Sequence, residues 1–122
     1  MKKYAGDAGK EAENEACLFL QKHGYHIHAR NYRYGHYEID IIAGCSSMLA
    51  FVEIKSRRWS KRLYKYPLVP QAKRKRIISA SEHFLREHPE FSACFCRYDV
   101  ILILNKMPGL KIEHYKGAFS IC

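Results

Sequence analysis

The chain has 122 residues, 48% of them hydrophobic, and carries 21 Lys and Arg against 12 Asp and Glu, a net charge of +9. That is enough for one domain with a real core, spanning residues 1–122, and too apolar for a disordered tail. The longest apolar runs are far too short to span a bilayer. The opening Met1-Lys2-Lys3-Tyr4 leads into a Gly- and acid-containing stretch with no apolar signal core, so a soluble, cytoplasmic protein with no membrane partner is expected.

In chain order, Gly6 to His23 reads as a helix: Ala12, Ala16, Phe19 and Leu20 form an apolar stripe at helical spacing, and Gly24 is a natural stop. Tyr25 to Tyr34 alternates as a strand, Gly35-His36 is a turn, and Tyr37 to Ala43 is a second strand. Gly44-Cys45-Ser46-Ser47 makes a hairpin into a third strand, Met48 to Lys55. No period holds from Ser56 to Pro70, which reads as a basic loop. Gln71 to Glu87 is a second helix with Ile77, Ile78, Ser81, Phe84 and Leu85 facing inward, ended by His88-Pro89. Phe95 to Leu104 is a fourth strand. Met107-Pro108-Gly109 turns the chain into a short last strand, Leu110 to His114. The order α-β-β-β-α-β-β predicts an α/β fold, a mixed sheet with helices packed on it.

The five cysteines are odd in number and form no Cys-x-x-Cys pair, which points to a reducing compartment. Cys94 and Cys96 alternate as core filler on one side of a strand. The positive charge is not spread evenly. Lys55 to Arg76 hold ten of the 21 basic residues and no acidic one, interleaved with Trp59, Tyr64 and Tyr66. This is the electrostatic footprint of a polyanion-binding surface, with a merely solvated basic face as the plainer reading. The predicted phosphate contacts are Arg57, Arg58, Lys61, Arg62, Lys65, Lys73, Arg74, Lys75 and Arg76.

Two runs stand out: Glu38-Ile39-Asp40 and Glu53-Ile54-Lys55 put charged side chains on strands that otherwise read as buried. Burying carboxylates and an ammonium is costly unless they pair or hold a metal. An Asp and a Glu at neighbouring strand ends can grip one hard cation, and a Lys two residues on can steady a water or a phosphate oxygen. Alternation places Glu53 and Lys55 on one face and Val52 and Ile54 on the other. An ion-pair network would use the same residues without chemistry.

These residues belong to a longer pattern. Gly9-Lys-Glu-Ala12-Glu13-Asn-Glu-Ala16 with Phe19-Leu20, Gly24-Tyr25, Arg30-Asn31-Tyr32-Arg33, Glu38-Ile39-Asp40, Phe51 to Arg57, Lys73, Arg76, Ala80, Arg97-Tyr98-Asp99-Val100 and Ala118-Phe119 together resemble the YraN-like family of small bacterial proteins. That family is grouped with the PD-(D/E)XK nuclease superfamily and the archaeal Holliday junction resolvases. The chain departs from the family pattern at Tyr37, where Gly usually precedes the Glu-Ile-Asp, and at Ala12, where Gly often precedes the helix Glu.

The resemblance implies a restriction-endonuclease-like fold and a metal-dependent endonuclease acting on DNA. Asp40 and Glu53 would ligate Mg²⁺ or Mn²⁺, and Glu13 would support the metal directly or through water. Lys55 would orient the attacking water and offset transition-state charge. The Ile54 carbonyl could supply a further oxygen ligand, and two or three carboxylates suffice because Mg²⁺ keeps several waters. Glu38 and Gln71 are expected as outer residues of the site, with pairing to an Arg the alternative for Glu38. Asp99 is expected to be structural, pairing with a basic residue. Binding through phosphates implies recognition of DNA structure rather than sequence, with steep salt sensitivity. A protein acting on four-way junctions would be a homodimer. The competing functions are a non-cleaving nucleic-acid-binding module with the same fold, and a basic scaffold for an acidic protein or ribosomal RNA.

Overall fold

The computed structural model describes residues 2–60, 69–106 and 108–120, with side chains from Gly9 onward. Its elements are α1 (Lys2–Lys22), β1 (His26–Tyr34), β2 (Tyr37–Cys45), β3 (Met48–Arg58), α2 (Gln71–Glu87), a 3-10 turn (Pro89–Phe91), β4 (Phe95–Lys106) and β5 (Gly109–Phe119). The five strands form one sheet in the order β1-β2-β3-β4-β5. Every neighbouring pair is antiparallel except β3 and β4, which run parallel from Met48↔Phe95 to Arg58↔Asn105. A parallel pair needs a crossover, and the segment containing α2 supplies it. The result is the expected α/β mixed sheet with helices, in the expected order.

Both faces of the sheet are covered. On one, Ala12, Ala16, Cys17 and Leu20 of α1 pack with Ile41, Ala43, Ala50, Val52, Ile101 and Ile103. On the other, Ile77, Ala80 and Phe84 of α2 pack with Ile42, Leu49, Phe51, Tyr98 and Val100. That double burial is why the central strands read as nearly continuous apolar runs. Ser81, the polar member of the α2 stripe, bonds the Tyr98 hydroxyl at 2.7 Å. Gly24, at φ 89°, takes the left-handed conformation that stops α1. Cys94 and Cys96 pack against the α2-side core while Phe95 between them is exposed. Among the described residues no helix is long and apolar enough to cross a membrane.

Two strands run well past the ends expected from the sequence. β3 continues to Arg58 rather than ending at Lys55, because parallel backbone pairing with β4 carries it through a stretch with no side-chain alternation. β5 continues to Phe119 rather than His114. Its register jumps between Val100↔Tyr115 and Tyr98↔Phe119, with Gly117 at φ 63°, so a bulge conceals the strand's second half. The 3-10 turn after His88 was not expected.

One buried charge is wholly absorbed by this framework. Asp99 on β4 has no exposed surface. It accepts hydrogen bonds from Arg97 Nε and Nη2, each at 2.8 Å, and from the Gly117 backbone N–H at 3.0 Å, and it meets His114 Nε2 at 2.8 Å. Burial alone would raise its pKa, but these partners hold it below the usual carboxylate value. Arg97 also reaches the Tyr25 hydroxyl at 2.8 Å. The expected structural role of Asp99 agrees with this geometry.

Candidate active site

The site lies where β2 parts from β3. Their paired register ends at Ile41↔Val52. Beyond it the Ile54 N–H is met by Asp40 Oδ2 at 2.8 Å, a side chain standing in for a strand. The alternation of β2 breaks at this point, with Ile39 in the α2-side core and Ile41 in the α1-side core. Asp40 is thereby turned into a cleft of about 500 Å³ bordered by Lys10, Glu13, Arg30, Asn31 and Ile54.

β1 breaks in step. Asn31, directly across from this stretch of β2, adopts φ 53°, a left-handed conformation that Asn tolerates better than most residues. The consequence is that Arg30 and Asn31, adjacent in sequence, both reach Glu13. Arg30 Nε donates to Glu13 Oε2 at 2.8 Å, and Asn31 Nδ2 lies 3.1 and 2.9 Å from the two carboxylate oxygens. Arg30 also donates to Asn14 Oδ1 at 2.6 Å. Glu13 is 8% exposed, so this clamp supplies the partners its burial requires.

On the other side of the fork, Val52 and Ile54 pack beneath α1, so Glu53 and Lys55 face α2, as alternation predicts. Glu53 is 5% exposed. Its Oε2 lies 2.7 Å from Lys73 Nζ, reaching across from α2, and 3.8 Å from Lys55 Nζ. Burial, followed by the charge of Glu53, pushes Asp40 up to about 7, despite the Ile54 hydrogen bond and Lys73 pulling it down. Lys55 is lowered, first by burial and then by the cations Lys73 and Arg57, with Glu53 and Asp40 acting against this.

The expected outer residues fall out differently. Glu38 pairs with Arg33 across the β1–β2 hairpin at 3.8 Å. Gln71 opens α2 but is exposed. Of the predicted phosphate contacts, Arg57 and Arg58 are exposed at the end of β3, and Lys75 and Arg76 are exposed on α2. Lys73 is engaged by Glu53. Arg74 donates to the Val69 carbonyl at 2.7 Å and sits 5.8 Å over the Phe119 ring, so it fastens the start of α2. Lys61, Arg62 and Lys65 lie outside the described residues. Lys106, which the sequence reading did not single out, sits 4.6 Å over the Trp59 ring beside Arg58.

The donor set fits a hard divalent cation at two carboxylates rather than three. Among the described residues no three His, Cys, Asp or Glu side chains gather closely enough to hold a metal. Glu13 is instead engaged by Arg30 and Asn31. Asp40 and Glu53 remain. They repel each other, and no described residue donates to Asp40 Oδ1, a combination that a cation would relieve.

The fold and the site thus define a small α/β protein whose sheet forks at a half-buried aspartate and a buried glutamate flanked by lysines. A model of the uncharacterised protein family UPF0102 matches residues 12–103, and the chain belongs to that family, which is the YraN family its motifs resemble. A UPF0102 protein of Chlorobium chlorochromatii is 39% identical, over 94% of this chain and 92% of the relative. One from Lawsonia intracellularis is 35% identical over 93% and 86%. One from Coxiella burnetii is 37% identical over 76% and 78%. Among solved structures, Pyrococcus furiosus SfsA in complex with Ca²⁺ is similar at a TM-score of 0.40 and 18% identity, covering 98% of this chain and 65% of that one.

Proposed function

We propose that this protein is a metal-dependent endonuclease that hydrolyses phosphodiester bonds in DNA, with a restriction-endonuclease-like centre built from Asp40, Glu53 and Lys55. The observation that carries the reading is the fork itself: Asp40 and Glu53 stand on strands that part at this point, Asp40 is raised first by burial and then by the charge of Glu53, and Lys55 lies on the same face as Glu53. A group of structural ion pairs would be expected to satisfy both acids; this one leaves Asp40 with a single donor.

Asp40 and Glu53 would hold Mg²⁺ or Mn²⁺, which would polarise the phosphoryl oxygen and make a bound water more acidic. Lys55, kept in place by its neighbour Glu53 and 14% exposed at its side chain, would donate to the attacking water or to a non-bridging oxygen. Arg30 and Lys10 border the cleft and would draw the backbone in, while Arg57, Arg58, Lys75 and Arg76 extend the positive surface beyond it. The Arg30–Asn31–Glu13 clamp would fix the cleft wall against which the phosphate rests.

The test is cleavage of branched, flapped, duplex and single-stranded DNA with Mg²⁺ or Mn²⁺. The expected outcome is metal-dependent cleavage, absent with EDTA, abolished by Asp40→Ala and lowered about a hundred- to a thousandfold by Lys55→Ala. DNA binding without cleavage on every substrate would support a non-cleaving module instead. Binding that does not weaken between low and moderate salt would mean that the basic surface does not hold the DNA.

A further inference from the structure

We propose that Lys73 is a displaceable placeholder: its ammonium occupies the cation's place on Glu53 Oε2 until a divalent ion enters, and leaves that oxygen when it does. This rests on the metal site proposed above and adds a residue to it.

Two lysines share one carboxylate oxygen, and they are not equivalent. Lys73 Nζ is at 2.7 Å, a close ion pair, whereas Lys55 Nζ is at 3.8 Å. Lys55 is rooted in a central strand with its side chain 14% exposed. Lys73 comes from the first turn of α2 with its side chain 44% exposed, on a flexible four-carbon stem. It can therefore leave Glu53 for solvent or a phosphate without disturbing the core.

The position of Lys73 also makes little sense for the helix alone. α2 has no acidic residue in its first turn and no side-chain cap. A cation there opposes the helix dipole, whose N-terminal end favours negative charge. Glu53 is what makes the position favourable. A carboxylate that is 5% exposed needs a counter-charge in the empty state, and Lys73 supplies it at the oxygen a divalent ion would use. Once that ion binds, three positive centres would crowd one carboxylate, and the exposed, flexible one is the one that yields.

The experiment is titration of Mn²⁺ into the DNA-free protein by calorimetry, comparing wild type with Lys73→Met, Lys73→Arg and Asp40→Asn. Lys73→Met is expected to bind Mn²⁺ about tenfold more tightly than wild type. Lys73→Arg, which keeps a cation on Glu53, should show no such gain, and Asp40→Asn should lose binding. Unchanged or weaker binding by Lys73→Met, with Asp40→Asn still defective, overturns the placeholder while leaving the metal site standing. If wild type and Lys73→Met both fail to bind, or if Asp40→Asn binds as wild type does, the metal site and the placeholder fall together. Should Lys73→Met not fold, Mg²⁺ is titrated into wild type while the side-chain nitrogen of Lys73 is followed by NMR. A shift that saturates with Mg²⁺ is expected, and an unmoved resonance overturns the proposal.

Discussion

Two aspartates of one sheet meet opposite treatment. Asp99 has no exposed surface and is met by Arg97, His114 and the Gly117 N–H, so its charge is held below the usual carboxylate pKa. Asp40 has the Ile54 N–H as its one donor among the described residues, and Glu53 as a like-charged neighbour, and is pushed up to about 7. Burial acts on both in the same direction; partners decide the outcome. A carboxylate whose partners are complete serves the framework, and one left short of partners beside another acid is where a ligand can add something.

The sharpest test of this contrast is removal of each acid. Asp99→Ala would strand Arg97 and His114 in the interior, costing about 3–5 kcal/mol in urea denaturation. A loss below about 1 kcal/mol would mean that the network is not holding the sheet.

Asp40→Asn in EDTA should do the reverse and stabilise the protein at pH 8 by about 1–3 kcal/mol, since the amide keeps an acceptor for Ile54 and removes the repulsion. The pH dependence carries the sign. Unfolded Asp40 loses its proton near pH 4, roughly its ordinary pKa, whereas the folded group holds it to about 7. Asp40 therefore subtracts stability progressively from about pH 4 to about pH 7, and the advantage of Asp40→Asn should vanish by about pH 4. Asp99 behaves oppositely. Its contribution is present above its unfolded value of about 4 and is lost as the pH falls through its lower folded value. Parallel pH profiles for the two variants would break the comparison.

The smallest effect is expected at Asn31. Asn31→Gly relieves the left-handed backbone but gives up the contacts to Glu13, so stability should change by less than about 1 kcal/mol. Asn31→Ala loses both advantages and should cost about 1–2 kcal/mol by thermal denaturation.

Much of the framework is legible in the sequence because it obeys simple periods. α2 begins and ends at Gln71 and Glu87 as its stripe and the following His88-Pro89 dictate. Val52 and Ile54 separate from Glu53 and Lys55 by plain alternation. What escapes is whatever depends on a break in the period. Asn31 in its left-handed conformation sends two consecutive side chains to the same carboxylate, which no alternating pattern anticipates. An Asn within a run of strand formers was the available signal. Lys73 was legible as one more positive charge in a basic run. Its ion pair with Glu53 joins α2 to β3 across a crossover, a contact set by tertiary placement and invisible to local spacing.

The parallel pairing of β3 with β4 also governs how this chain is made. The β1–β3 meander is complete early in synthesis, but the partner that covers the far edge of β3 begins only at Phe95. Until then the nascent protein presents an apolar strand, Met48 to Ile54, with one row of backbone groups bare, the kind of edge that recruits other chains. Lys55, Arg57 and Arg58 close that strand. There they act as gatekeepers, adding mutual repulsion to a segment whose folding has to wait.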